Sequence, residues 1–158
     1  MSPLPPSRIR RARSSDLPEL AAMMGQFNRS EHIHWRPQRV LPALRRLLRD
    51  RRLGCVLVAE GGAARELRGY AVATFGYDLE YAGPDAFLTE IFVRPPHRRS
   101  GEGRRLLRAI TQRMRDGGAG AIHLAVWPAN RAARRFYEGA GFAPLPRLVL
   151  TKRLRGAR

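Results

Sequence analysis

The sequence predicts a single α/β domain built on a mixed sheet, and three observations predict it. Short apolar runs rich in Val, Tyr, Phe and Thr alternate with amphipathic segments of helical period. One such run leads through a glycine-containing basic loop into a helix and on to another apolar run, a strand–helix–strand unit whose two strands should run parallel or nearly so. The chain has 158 residues, 44% of them hydrophobic, which is about one domain at ~100 to 200 residues each and enough apolar side chain for a core. No internal repeat or long linker divides it. Met1 to Ser7, with Pro3, Pro5 and Pro6, reads as a loose end, and 8–155 as the domain.

Each element follows from local chemistry. Ile9 to Arg13 suits a first strand; Asp16 with Glu19 three residues later has the form of a capping box opening a helix whose apolar stripe is Leu17, Leu20, Met24 and Phe27. A polar stretch, Asn28 to Gln38, interrupts. Val40, Leu41, Leu44, Leu47 and Leu48 then recur at helical spacing up to Asp50. Cys55 to Glu60 and Gly69 to Tyr77, separated by Gly61-Gly62 and charged residues, predict an antiparallel strand pair. Phe87 to Val93 is the third such run. After it come the basic loop and a helix with Leu106, Leu107, Ile110 and Met114 on one face, closed by Gly117-Gly118. Ala121 to Trp127 reads as a strand, Asn130 to Gly139 as a helix with Ala133, Phe136 and Tyr137 at packing positions, and Leu148 to Leu154 as a last strand.

Composition narrows the function classes. Thirty basic against thirteen acidic residues give a net charge of +17, which attracts polyanions: nucleic acid, phosphate-rich cofactors or anionic membranes. Lys152 is the single lysine, the other basic residues being arginine, and with so much Ala, Gly and Pro this fits a codon bias as well as a dedicated nucleic-acid function. Interleaved aromatic residues for base stacking are absent. No apolar run approaches the ~18 residues of a membrane span and no signal-peptide core follows the basic N-terminus, so the expected location is cytoplasmic with no membrane partner. Cys55, the lone cysteine, sits inside an apolar run and reads as a buried structural thiol. Glu31-His32-Ile33-His34-Trp35 has metal-like residue types at the wrong spacing, so no metal is expected. His97 reads as a solvent-facing loop residue and His123 as a packed one.

The sharpest local signal is Arg98-Arg99-Ser100-Gly101-Glu102-Gly103, which follows an apolar strand and opens an amphipathic helix. Glycines let successive N–H groups converge on one point, and the helix N-terminus adds partial positive charge, a cradle for a pyrophosphate. Arg98, Arg99 and Arg104 can add ionic contacts. It is neither a Walker loop nor a Rossmann fingerprint. The same residues would also serve an ordinary turn before a helix.

With its neighbours, this loop resembles a known family, the GNAT N-acetyltransferases. The stretch from Phe87 to Leu107 is similar to the family's central strand, Arg/Gln-x-x-Gly-x-Gly/Ala loop and following helix, and Val126 to Phe142 is similar to its second signature, Asn followed by Phe-Tyr and Gly-Phe. Ile9 to Leu20 resembles the usual first strand and helix. The resemblance implies a GNAT fold: a mixed, mostly antiparallel central sheet with a parallel, splayed strand pair, flanked by about four helices. It implies acetyl-CoA as acyl-donor cosubstrate and direct transfer to a primary amine in a ternary complex. One departure stands out: the position between the loop glycines is usually aliphatic in the family, and here it is Glu102. Pointing into the core unpaired, that carboxylate would be costly or would neutralise itself; neighbouring arginines could hold it at the surface instead.

The resemblance also implies roles. An alkyl amine is mostly protonated at pH 7 and some base must collect its proton; Glu90, mid-strand among apolar residues, is the candidate, with pairing to an arginine or a water chain as the alternatives. Tyr137, similar in position to the family's general-acid tyrosine, would protonate the departing thiolate or else anchor its helix in the core. Cofactor contacts fall to Ile91, Phe92 and Val93 through main-chain groups freed by the splay, to Arg98, Arg99, Ser100, Gly101, Glu102, Gly103 and Arg104 in the loop, and to Asn130, which also suits a helix cap. The partner expected is an amine acceptor, with polycations disfavoured by the positive surface; no specific nucleic acid is expected, and homodimerisation is left open. Rival readings are a CoA-binding sensor without transfer, a basic nucleic-acid-binding module, and an enzyme that moves a propionyl or succinyl group.

Overall fold

The computed structural model describes residues 7–155, which fall into two compact units divided between Leu124 and Ala125. The first unit holds a five-stranded sheet in sequential order: β1 (Arg8–Arg11), β2 (Gly54–Gly61), β3 (Glu66–Asp78), β4 (Gly83–Val93) and β5 (Ile122–His123). The β1–β2, β2–β3 and β3–β4 pairs are antiparallel and β4–β5 is parallel. This is the mixed sheet that the strand–helix–strand pattern predicts. Three of the four α-helices among the described residues belong to this unit: α1 (Leu17–Ser30), α2 (Pro37–Arg49) and α3 (Glu102–Asp116).

Strand period places the core on both faces. Val56, Val58, Tyr70, Val72 and Phe92 form one cluster with Leu20, Met23, Met24 and Leu44 of α1 and α2, while Leu17, Phe27, Trp35, Val40, Leu41, Leu47 and Leu48 close its rim. Leu57, Ala59, Ala71 and Ala73 alternate onto the opposite face, where Leu106, Leu107, Ile110 and Met114 bury the apolar stripe of α3. Cys55 is buried and its thiol is pushed up by that burial, which keeps it in the inert thiol form.

Several boundaries depart from the sequence reading. Asp16 does not cap α1 with its side chain. Its carboxylate takes a bidentate pair from Arg10, at 2.8 and 2.9 Å, and the Arg13 N–H at 2.6 Å, closing a 3-10 turn ahead of the helix. Glu19 reaches away to the Leu67 N–H at 3.2 Å and to Arg94 at 3.4 Å. Both carboxylates of the expected capping box are thus drawn off by partners outside the helix. Ala121 to Trp127 contributes only Ile122 and His123 to the sheet. Met1 to Pro6 of the expected loose end lie outside the described residues, whereas Ser7 is buried and hydrogen-bonded.

The second unit contains α4 (Arg131–Glu138). Asn130 caps it, its side-chain oxygen accepting the Ala133 N–H at 3.1 Å. Leu148 to Leu154 is not a strand: among the described residues it joins no ladder, and Leu148, Val149, Leu150 and Leu154 are all exposed. The apolar run carries β propensity, but a strand needs a partner edge, and among its described residues this unit contains no other strand. No helix among the described residues is long and apolar enough to cross a membrane.

Candidate active site

β4 carries the chemistry-bearing segment because its two edges are treated differently. Toward β3 it is paired along its length, Gly69↔Val93 to Asp78↔Gly83, whereas toward β5 the register covers only Ala86↔Ile122 and Phe87↔His123. The Arg94 N–H donates to the Arg68 carbonyl at 2.8 Å. Antiparallel alternation then turns the N–H and C=O of Phe92 toward β3 and those of Ile91 and Val93 away from it. The Val93 carbonyl is taken by the Arg98 Nε at 2.9 Å. Within the first unit, the main-chain groups presented beyond the parallel pairing are therefore the Ile91 N–H and C=O and the Val93 N–H. Of the three expected residues, Phe92 spends its main chain inside the sheet.

The glycine loop follows directly. Pro95–His97 makes a 3-10 turn, the Ser100 hydroxyl donates to the His97 carbonyl at 2.6 Å, and the chain enters α3 through Gly101 at φ 85°. That left-handed geometry is what the glycine is needed for, since no atom lies within 4 Å of where a Cβ would stand. The first α-helical bond runs from the Arg105 N–H to the Gly101 carbonyl at 3.0 Å. The N–H groups of Glu102, Gly103 and Arg104 precede it and have no intrahelical acceptor. Arg98, Arg99 and Arg104 are exposed around this turn, and the Arg98 guanidinium lies 5.6 Å from the Phe92 ring centre. Convergent N–H groups, a helix N-terminus, open space beside Gly101 and three arginines suit a diphosphate.

Glu102 does not use those arginines at the surface. Its side chain is 4% exposed and turns under the loop, accepting from the Ser7 N–H at 3.3 Å and from the Ser7 hydroxyl, with Arg105 at 3.4 Å and Arg68 at 3.6 Å. Only the backbone of Glu102 remains on the ligand side. His97 likewise departs from its expected solvent-facing position: its side chain is 11% exposed, with Nε2 3.3 Å from Glu66. His123 is packed as expected, against the Tyr81 ring and 3.5 Å from Asp85.

Glu90 sits on the α1/α2 face of β4, paired across the strand with Val72 and one step from the Tyr70–Phe92 ring pair. Its partner is a phenol, not an arginine: the fully buried Tyr70 hydroxyl donates to Glu90 Oε2 at 2.6 Å. Burial raises the Glu90 carboxyl above the usual glutamate range, and the Tyr70 hydrogen bond pulls back only part of that rise. Tyr70 is itself pushed far up, first by burial and then by the facing carboxylate, so it stays a donor at any working pH. Tyr70 is the site residue that sequence reasoning missed. The available signal was a tyrosine at an inward position of an apolar strand, whose hydroxyl has to find a buried partner.

In the second unit Tyr137 is half-buried, its ring 5.2 Å from Phe136 and 5.7 Å from Phe142, both edge-on. Asn130 spends its carbonyl oxygen on the α4 cap, which leaves its amide N–H₂ for a ligand.

The sequence profile of the acetyltransferase (GNAT) family matches residues 19–142. The chain belongs to the GNAT family. Among curated proteins, this GNAT chain is similar to thialysine N-epsilon-acetyltransferase of Bos taurus, 29% identical over 73 residues, which is 46% of this chain and 42% of the bovine enzyme; it thus matches less than half the length of that relative. Among solved structures it is similar to integron cassette protein HFX_CASS3 from the mobile metagenome of Cole Harbour Salt Marsh, at TM-score 0.81 and 28% identity over 94% of this chain and 91% of that one. The aminoglycoside N-acetyltransferase AAC(6')-Iy in complex with CoA shares the fold at TM-score 0.81 and 19% identity, covering 98% of this chain and all of that one.

Proposed function

We propose that this GNAT protein is an N-acetyltransferase that passes the acetyl group of acetyl-CoA to a primary amine by direct attack, with no acyl-enzyme. The observation that carries the reading is the left-handed Gly101 at the head of α3, placed after a strand whose far edge is unpaired within its unit beyond Phe87. Acetyl-CoA supplies the activated thioester. The loop N–H groups of Glu102, Gly103 and Arg104 bind its diphosphate, Arg98, Arg99 and Arg104 neutralise charge there, and Ser100 orders the turn. The Ile91 N–H and C=O and the Val93 N–H bind the pantetheine amides as a neighbouring strand would, and an N–H of this edge faces the thioester oxygen as negative charge develops.

Glu90 receives the proton of the incoming amine. A carboxyl raised by burial is a stronger base than an exposed one, and the Tyr70 hydroxyl fixes one of its oxygens while leaving the other to accept. Tyr137 gives its hydroxyl proton to the leaving sulfur, the easier half of the reaction because a thiol pKa is ~8.5. The Asn130 amide adds a ligand contact from α4.

Two measurements test this. CoA should raise the melting temperature, and acetyl-CoA with a panel of amines, among them thialysine, an aminoglycoside, free amino acids and a lysine peptide, should release free thiol. Absence of both overturns the reading. Stabilisation by CoA with no turnover on any acceptor would make the chain a CoA sensor, and preference for propionyl- or succinyl-CoA would change the acyl group only.

A further inference from the structure

Glu102 is the place where this chain departs from the aliphatic residue expected between the loop glycines, and it is built into an ionic cluster that the proposed reaction does not use. Three stretches of chain converge on its carboxylate. Ser7, just before β1, gives its N–H and hydroxyl; Arg68 of β3 brings a guanidinium whose side chain is 3% exposed; and Arg105, one turn along α3, lies 3.4 Å away while also donating to the Ser7 hydroxyl at 3.2 Å and to the Ser7 carbonyl. The room for Arg68 comes from a fourth stretch, because a Cβ at Gly61 of β2 would overlap its guanidinium. The cluster runs outward through Glu66, 3.8 Å from Arg68, to His97 of the loop itself. The first turn of α3 is therefore tied through one side chain to Ser7 ahead of β1 and to Arg68 of β3, and through Arg68 and Glu66 to the preceding loop.

Stability does not account for such an arrangement, since replacing a buried ion pair by apolar residues of similar volume is often neutral or favourable. What charges add is a fixed distance and direction. The carboxylate also draws Arg68 and Arg105 beneath the loop, leaving Arg98, Arg99 and Arg104 as the cations outside it. We propose that Glu102 is a positioning residue for the diphosphate-binding turn: held by Ser7, Arg68 and Arg105, it sets where the N–H groups of residues 102 to 104 stand, and thereby the affinity for the diphosphate part of the donor. This deepens the reading of the loop given above and rests on it.

The test pairs two donors. Acetyl-CoA carries the diphosphate and S-acetylpantetheine does not, so a positioning role separates them, whereas general damage to the domain lowers both alike. The double variant E102L/R68M removes both partners of the buried pair together. It is expected to melt within a few degrees of the parent, to bind CoA about tenfold more weakly, and to lose about tenfold more kcat/KM on acetyl-CoA than on S-acetylpantetheine, the loss lying in KM. Should that variant fail to fold, Glu102→Gln, which keeps the volume and one of the two oxygens that accept from Ser7, is expected to give the same donor-selective loss at smaller size. Equal losses on the two donors, or CoA binding as tight as the parent's, overturn the proposal. A parent that CoA stabilises together with a variant stabilised equally removes only the role of Glu102; a parent that CoA leaves unchanged removes the loop reading and this role with it.

Discussion

Glu90 and Glu102 are glutamates of the same unit, both withdrawn from water, and they are given opposite company. Glu90 faces a single neutral donor, the Tyr70 hydroxyl, while Glu102 faces two guanidiniums, a hydroxyl and a backbone N–H. A neutral partner leaves the burial penalty of Glu90 partly uncompensated, so its carboxyl rises and it becomes a proton acceptor. Cationic partners hold Glu102 in place as an anchor. Burial alone does not mark a catalytic carboxylate; the charge of what surrounds it decides.

The contrast breaks most visibly at Glu102. Glu102→Ala should cost about 3–5 kcal/mol, because a buried guanidinium loses its carboxylate; chemical denaturation measures it, and a loss below about 1 kcal/mol would show the cluster to be ornamental. Glu90→Gln is expected to do the reverse, lowering kcat/KM by about 100-fold, the low end for general acid–base catalysis, without loss of stability. The activity loss should be greatest where Glu90 is ionised and the amine is still protonated, and should shrink at the acid end, where the parent's own carboxyl takes up a proton.

The sign of the stability effect follows from linkage. The folded carboxyl of Glu90 lies above its unfolded value, so its favourable contribution is full below the unfolded pKa of ~4.3 and is lost as pH rises through the folded value. Gln carries no such penalty and still accepts from Tyr70. The melting temperature of the variant relative to the parent should therefore climb with pH from about 4 upward, and a flat difference would contradict the burial account.

Tyr137→Phe carries the comparison to the second unit. Turnover should fall about tenfold with CoA binding kept, less than the 10²–10⁴ of general acid catalysis because a thiolate is a good leaving group; equal rates would leave Tyr137 as a packing residue. The smallest effect is expected for Tyr70→Phe. It removes one buried hydrogen bond, about 1 kcal/mol, and lets Glu90 rise further, so the acid limb of the kcat/KM profile should move to higher pH. A limb that stays put would mean that another group is the base.

Legibility in the sequence tracked the range of the interaction. The alternation of Val56 and Val58, the stripe from Leu106 to Met114 and the cap at Asn130 are local patterns, and they gave β2, the buried face of α3 and the start of α4 directly. Glu102 was legible as a departure but not in its orientation, because Ser7 lies 95 residues away and Arg68 looks like any of the other arginines. The Asp16–Glu19 spacing promised a local cap, and Arg10 and Leu67 outbid it. Leu148 to Leu154 has the composition of a strand, yet composition does not supply the edge to which a strand must pair.

Gly61 imposes an order on change. A Cβ added there would overlap the Arg68 guanidinium, so a bulkier residue becomes tolerable only after position 68 has shrunk, and 68 and 102 can give up their opposite charges safely only together. A lineage of variants would have to change 68 and 102 as a pair before touching 61, and a screen that alters the three one at a time would find every first step closed.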